Sequence, residues 1–224
     1  MLTIQLQGGL GNQLFQLAFL EYASAVSGKE WYISNVSSPA TNHSSENYYE
    51  TIFKNWKQFF DKRDITQDEV LLGYFQDYKF TETVKDTFIS RLSFNETILE
   101  KYPDISKKVF IHIRGGDYKN NSFHDVGLTN YYKKCIEECS GSEFIVFTND
   151  IPYAKQFGDY PIIEENEVDT LFLMSKCSGC ICANSSFSWW GAYLNPKRRI
   201  FIPSKWVNGV FHHETYRVPG WIVI

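Results

Sequence analysis

The sequence predicts an α/β protein built on parallel sheet, and three observations point to it. From Val109 onward, short apolar runs alternate with helical patterns at the spacing of strand–helix units. A glycine-rich turn, Gly8-Gly9-Leu10-Gly11, links an opening strand to a helical stretch. Polar loops follow several strands, at the end of a parallel sheet where ligands bind.

Each element follows from its residues. Residues 2–6 alternate apolar with polar and read as a strand. Residues 13–27 contain no proline or glycine, and their apolar positions are too dense for one face, which predicts a helix buried on most sides. Residues 30–34 read as a second strand and 35–46 as a polar loop. An aromatic-rich helix is expected over 47–60, a strand over 69–75, and helices over 81–92 and 96–102. A boundary is expected at Pro103-Asp104, dividing the chain into 1–103 and 104–224. Beyond it, strands are expected at 109–113, 144–148, 161–164, 179–183 and 199–203. Helices are expected at 130–139, 153–157, 168–176 and 187–194.

Composition narrows the function. The chain has 224 residues, room for one large unit or two compact ones, and 43% are hydrophobic, enough for a core. The net charge of −4 argues against a nucleic-acid binder held by bulk positive charge, so phosphate recognition must rest on a few placed groups. Aromatic residues reach 17%, suited to core and flat ligands alike.

The N-terminus lacks a basic segment, and Gln5, Gln7 and the glycines break its apolar stretch, unlike a signal peptide. No apolar run approaches the roughly 18 residues of a membrane span, leaving at most peripheral membrane association. Five cysteines, an odd number, argue for reduced thiols and a cytoplasmic location. Cys177, Cys180 and Cys182 have zinc-like spacing, but no second pair exists and the segment reads as a helix end entering a buried strand. No metal site is expected.

Four loops carry the candidate chemistry. Gly8–Gln13 follows a strand and opens a helix, either as a tight turn or as an anion site on free amides. It is neither a dinucleotide fingerprint nor a P-loop. His112-Ile113-Arg114-Gly115-Gly116-Asp117-Tyr118 follows a strand. Arg114 offers a planar fork of donors for a phosphate, the glycines allow close approach, and Asp117 can anchor Arg114, orient a hydroxyl or act as a base. Thr148-Asn149-Asp150 either reads a base or caps the next helix. Asn184, Ser185, Ser186 and Ser188 cluster at an expected helix start, where hydroxyls and amides can cradle phosphate. Trp189 and Trp190 fall inside that helix as packing residues, and Phe187 suits either role.

Together these segments resemble the α-1,2-fucosyltransferases of glycosyltransferase family eleven. The matching stretches are GGLGNQLFQLA (8–18), GYFQ (73–76), HIRGGDY (112–118), FTND (147–150) and NSSFSWWGAYL (184–194), in order along nearly the whole chain. The resemblance implies a GT-B-like architecture of two Rossmann-like lobes, the N-terminal one reduced and on the acceptor side, the C-terminal one binding the donor. It implies GDP-fucose as donor, a galactoside glycan as acceptor and inversion at the sugar carbon. Arg114 then corresponds to the family's pyrophosphate-binding arginine. His112 and Asp150 or Asn149 correspond to guanosine contacts, and Ser185, Ser186, Phe187 and Ser188 to a second phosphate wall. Gly9, Gly11 and Asn12 correspond to the N-terminal loop facing the donor.

One departure stands out. The family's usual second arginine is replaced by Gly115, so Arg114 must carry more of the charge or another base such as Lys119 must help. No Asp-x-Asp triplet is present, and metal-independent transfer is expected. Asp117 is the first choice for the base, followed by His124 and Asp125. Transfer of another GDP-sugar, or binding of nucleotide or glycan without catalysis, are the alternatives. His212 and His213 read as surface or acceptor-contact residues.

Overall fold

The computed structural model describes residues 1–34, 48–61, 68–209 and 212–224. The expected loop at 35–46 therefore lies outside the described residues. The chain divides into two compact units, Met1–Phe94 and Asn95–Ile224. The division falls ahead of the expected Pro103-Asp104 boundary, because the segment after Phe94 packs with the second unit: Lys101 and Tyr102 both bond Glu165.

The first unit opens with strand β1 (Leu2–Ile4), helix α1 (Leu10–Ser27) and strand β2 (Trp31–Ser34). Two short strands, β3 (Phe60–Asp61) and β4 (Glu69–Leu71), and helix α2 (Tyr78–Arg91) complete it. All strands run parallel in the order β3-β2-β1-β4. The first half of α1 is buried almost all round, as its apolar density predicts. Gly28, at φ +68°, ends it in the left-handed conformation, its amide donating to Ser24 O at 2.8 Å.

The helix expected over 47–60 does not form: residues 48–53 are turns and Lys54–Phe59 a 3-10 helix. Its aromatic residues are in the core instead. Phe53 and Trp56 are fully buried, and Trp56 Nε1 donates to Glu21 at 2.9 Å. The stretch is rich in aromatic side chains, which lose rotamer freedom in an α-helix, and burial of Phe53 and Trp56 decides its path.

The second unit begins with the short helix α3 (Ile98–Lys101), then strand β5 (Lys108–Ile113) and helix α4 (Thr129–Glu138). Strand β6 (Glu143–Thr148), helix α5 (Ile151–Ala154) and strand β7 (Ile162–Ile163) follow. Helix α6 (Glu167–Lys176), strand β8 (Gly179–Ile181), helix α7 (Ser186–Tyr193) and strand β9 (Arg199–Ile202) lead to strand β10 (Ile222–Val223), which sequence patterning does not reveal. Six parallel strands lie in the order β10-β9-β8-β5-β6-β7.

Counted from β5, this is the doubly wound order 3-2-1-4-5-6, which reverses between β5 and β8. The central strand β5 is buried along nearly its whole length, as a strand covered on both faces must be. Trp189 and Trp190 are fully buried, Trp189 stacking on Tyr193 at 4.6 Å. All five cysteines are buried and unpaired, and burial pushes the Cys135 and Cys177 thiols up to about 12.

Candidate functional site

In the second unit, the reversal of strand order sends the chain away in opposite directions after β5 and β8, which opens a crevice at their carboxyl ends. The loop after β5 is the His112–Tyr118 motif, and the loop after β8 leads through Asn184 and Ser185 into α7. Two of the four loops singled out in the sequence thus meet at one switch point. The Thr148–Asp150 loop, at the end of the neighbouring β6, supports the first of them.

Arg114 is held at the rim. Its guanidinium meets Asp117 Oδ1 at 2.8 Å and Oδ2 at 3.0 Å, and lies 5.2 Å from the centre of the Tyr118 ring. Asn149 Nδ2 donates to Asp117 at 3.3 Å. The Gly115 amide donates to Asn149 Oδ1 at 2.9 Å, and the Gly116 amide to Asp150 Oδ2 at 3.1 Å. Asp150 also accepts from the Tyr153 amide at 3.0 Å and so caps α5. Of the two readings open for Asn149 and Asp150, the helix cap is formed, and both side chains also hold the glycine loop. These amide bonds, the Gly116 one first, hold the Asp150 carboxyl below its usual range.

Gly115 is sterically confined. A Cβ on Gly115 would stand 2.5 Å from Asp150 Cβ, so no side chain fits while Asp150 occupies this position. Gly116 adopts φ +51°, in the left-handed region. Lys119 lies on the far side of Asp150, 3.5 Å from its carboxylate, and over the Tyr153 ring.

His112 is buried beneath the rim, its ring 5.8 Å from that of Phe187. Burial, helped by the charge of Arg114, pushes its pKa down to about 3, so it is neutral across the physiological range. Burial also lowers His124, against the nearby Asp117 charge. Three buried polar atoms here have no partner within the protein: His112 Nδ1, Arg114 Nε and His124 Nδ1. Five other such atoms are scattered through the described residues, and these three stand out because they lie together at the rim. Beside them a cavity of about 170 Å³ is lined by Arg114, Tyr118, Lys119, His124, Asp125 and Tyr153. It is too small for a whole drug-sized molecule, for which about 300 Å³ is the lower bound, and fits one ring or one charged group.

Across the switch point, Ser185 stands at the N-cap of α7 without bonding its first turn through its side chain. Ser186 and Phe187 are half-buried at the helix start, within reach of a ligand on the rim. Ser188 is not: it is fully buried and its hydroxyl donates to Ala183 O and Ser185 O. In this structure the Ser188 hydroxyl therefore turns into the core and not toward the rim. Asn184 donates to His124 O at 2.9 Å and Trp206 O at 2.7 Å, tying the loops together.

The glycine loop of the first unit has another character. Gly11 lies within the first turn of α1 and is buried, and Gly9 caps it with φ −69°. Gly8 is the residue that needs to be glycine: it has φ +78°, and a Cβ there would meet Asn12 Nδ2 at 2.6 Å. Gln76 Nε2 donates to Asn12 Oδ1, Gln16 Nε2 to Gly73 O at 3.0 Å, and the Gln7 amide to Gln16 Oε1 at 2.9 Å. GYFQ is thus explained as the strand-end loop bound to the glycine loop.

Sequence reasoning missed Tyr118 and Gly8. Tyr118 had a signal: an aromatic residue placed within one turn of an arginine in a strand-end loop. Among the described residues, no three His, Cys, Asp or Glu side chains gather as a metal-binding set. No described helix is long and apolar enough to cross a membrane.

A doubly wound parallel sheet, with Arg114 in the loop after β5 and the start of α7 after β8, defines a Rossmann-like α/β fold. The chain belongs to Glycosyl transferase family 11, whose model matches residues 34–224. It is 34% identical over 176 residues to the O-antigen biosynthesis glycosyltransferase WbnK of Escherichia coli, covering 66% of this chain and 58% of that protein. It is 38% identical over 107 residues to an Escherichia coli α-1,2-colitosyltransferase, covering 40% of this chain and 37% of the relative. The chain thus spans little more than half of the first relative and less of the second.

Among solved structures, the fucosyltransferase NodZ from Bradyrhizobium matches with a TM-score of 0.55 at 13% identity, over 89% of this chain and 94% of NodZ. The iron-containing dodecameric glycosyltransferase TibC from enterotoxigenic E. coli matches at 0.55 and 12% identity, over 99% of this chain and 61% of TibC. These likenesses give a GT-B-like fold with parallel sheets.

Proposed function

We propose that the chain transfers L-fucose from GDP-fucose to a galactoside hydroxyl, with inversion and an α-1,2 linkage, and without a metal. The observation that carries this reading is Arg114 at the β5/β8 switch point, opposite the start of α7 and among buried polar atoms that lack partners. NodZ structures obtained with GDP and with GDP-fucose support the donor. The α-1,2-colitosyltransferase supports the linkage.

Departure of GDP leaves negative charge on the diphosphate. Arg114 and the first-turn amides of α7, with Ser185 and Ser186, supply a fixed positive field for it. Asn149 and Asp150 hold the Gly115 and Gly116 amides in place, and His112 is assigned to the guanosine side and Phe187, whose ring it neighbours, to the phosphate wall. In the free protein Asp117 is the counter-ion of Arg114. A diphosphate competes for the same guanidinium and frees Asp117 to accept the acceptor hydroxyl proton.

The test is to replace Arg114 with Ala and follow GDP release from GDP-fucose with lactose as acceptor. Turnover should fall on the order of 10²–10³-fold, the typical loss of one preorganised transition-state donor. Near-unchanged turnover would sink the phosphate role.

Transfer of another GDP-sugar is the second reading, favoured by the colitosyltransferase relative. Turnover of GDP-fucose against GDP-colitose and GDP-mannose separates the two.

A further inference from the structure

We infer that Tyr118 is the positioning residue that sets Arg114 at the switch point, an inference resting on the nucleotide reading above. Its phenol makes three contacts in three directions. The Arg114 guanidinium lies 5.2 Å from its ring centre, a cation–π distance. The His124 ring stacks on it at 4.6 Å with planes 15° apart. Its hydroxyl shares a hydrogen bond with Ser185, the N-cap of α7. One side chain therefore spans from the β5 loop to the β8 loop, the two walls of the crevice.

The arrangement answers a problem set by Gly115. With one guanidinium on this loop, its orientation matters more. Asp117 holds Arg114 by charge, but an incoming diphosphate competes with that ion pair. The Tyr118 ring carries no charge that a phosphate displaces. Burial raises its pKa, so it remains a neutral phenol and its face attractive to a cation. Arg114 thus keeps one support when Asp117 lets go, and the Ser185 bond fixes the distance between guanidinium and helix start.

The test is a double-mutant cycle on the full chain with GDP as the probe, read by calorimetry. Tyr118→Phe keeps the ring and loses the Ser185 bond, and should weaken GDP binding by about threefold to fivefold. Tyr118→Leu loses the Ser185 bond and the ring contacts with Arg114 and His124, and should weaken it about tenfold or more. In an Arg114→Ala background, Tyr118→Leu should add almost nothing, because its effect runs through Arg114. A full, additive loss in that background overturns the inference, as does an unchanged affinity in Tyr118→Leu. Tyr118→Phe keeps the buried ring and so guards against a folding artefact. No GDP binding by the unmodified chain would instead overturn the nucleotide reading, and this inference with it.

Discussion

The two units share a strand order and differ in what they place on it. In the first, β3-β2-β1-β4 reverses direction beside β1, and in the second the order reverses beside β5. Both therefore open a crevice at the carboxyl ends of two neighbouring strands. The first rim is joined by neutral amides: Gln16 bridges Gln7 and Gly73, and Gln76 reaches Asn12. Residues 5–12 and 72–77 contain no lysine or arginine. The second rim carries Arg114 and Lys119, balanced by Asp117 and Asp150. Topology fixes where a ligand can sit, and side-chain charge decides which ligand. Among these loop residues the first rim offers a phosphate no cation, and the second offers two.

The largest effect expected is at Gly115. Gly115→Arg restores the family's usual residue yet should destabilise the second unit by about 3 kcal/mol, since its Cβ lands on Asp150. Thermal melts check this, and relief by the added change Asp150→Gly would tie the cost to that contact. A stable Gly115→Arg protein would mean that the charged rim tolerates two arginines.

Next comes the amide bridge. Gln16→Leu strands the Gly73 carbonyl and the Gln7 amide and should cost about 1–2 kcal/mol, with GDP affinity unchanged. Weaker GDP binding in that variant would break the division of labour between the rims.

A third contrast lies in the pH response. His112 binds a proton in the unfolded chain from its ordinary value of 6.5 downward, but in the fold only near 3. Between those values the unfolded state holds more protons, so the second unit gains stability as pH rises, by at most about 1.4 kcal/mol per pH unit. Glu21 in the first unit has the opposite sign. Burial raises its pKa despite Arg91 and Trp56, so the fold holds its proton longer and loses stability as pH rises above 4.5. Melts of His112→Gln and Glu21→Gln across that range should flatten opposite slopes, and slopes of one sign would contradict the assignment.

Much of the candidate site was legible because it is local. His112, Arg114, Gly115, Gly116 and Asp117 lie in one heptapeptide after an apolar strand, and Ser185 and Ser186 open a helix. The inward direction of Ser188 was not legible, because it depends on how α7 rolls against the sheet. The 47–60 segment was misjudged because its pattern of rings suits a helix, whereas burial of Trp56 against Glu21 selects turns. The two-residue strands β3 and β10 carry too few residues to show a period.

The sequence by itself determined the α/β class, the parallel strands and the loops at their ends, since these follow from apolar periodicity and glycine placement within short windows. Only the tertiary structure decided which loops meet. The β5/β8 reversal joins residues more than sixty positions apart. The β5–β6 pairing packs Asp150 against Gly115, where a larger side chain would collide, and the β5/β8 reversal sets Tyr118 between Arg114 and Ser185. Those relations depend on distances across the sheet, and no pattern along a single strand or helix encodes them.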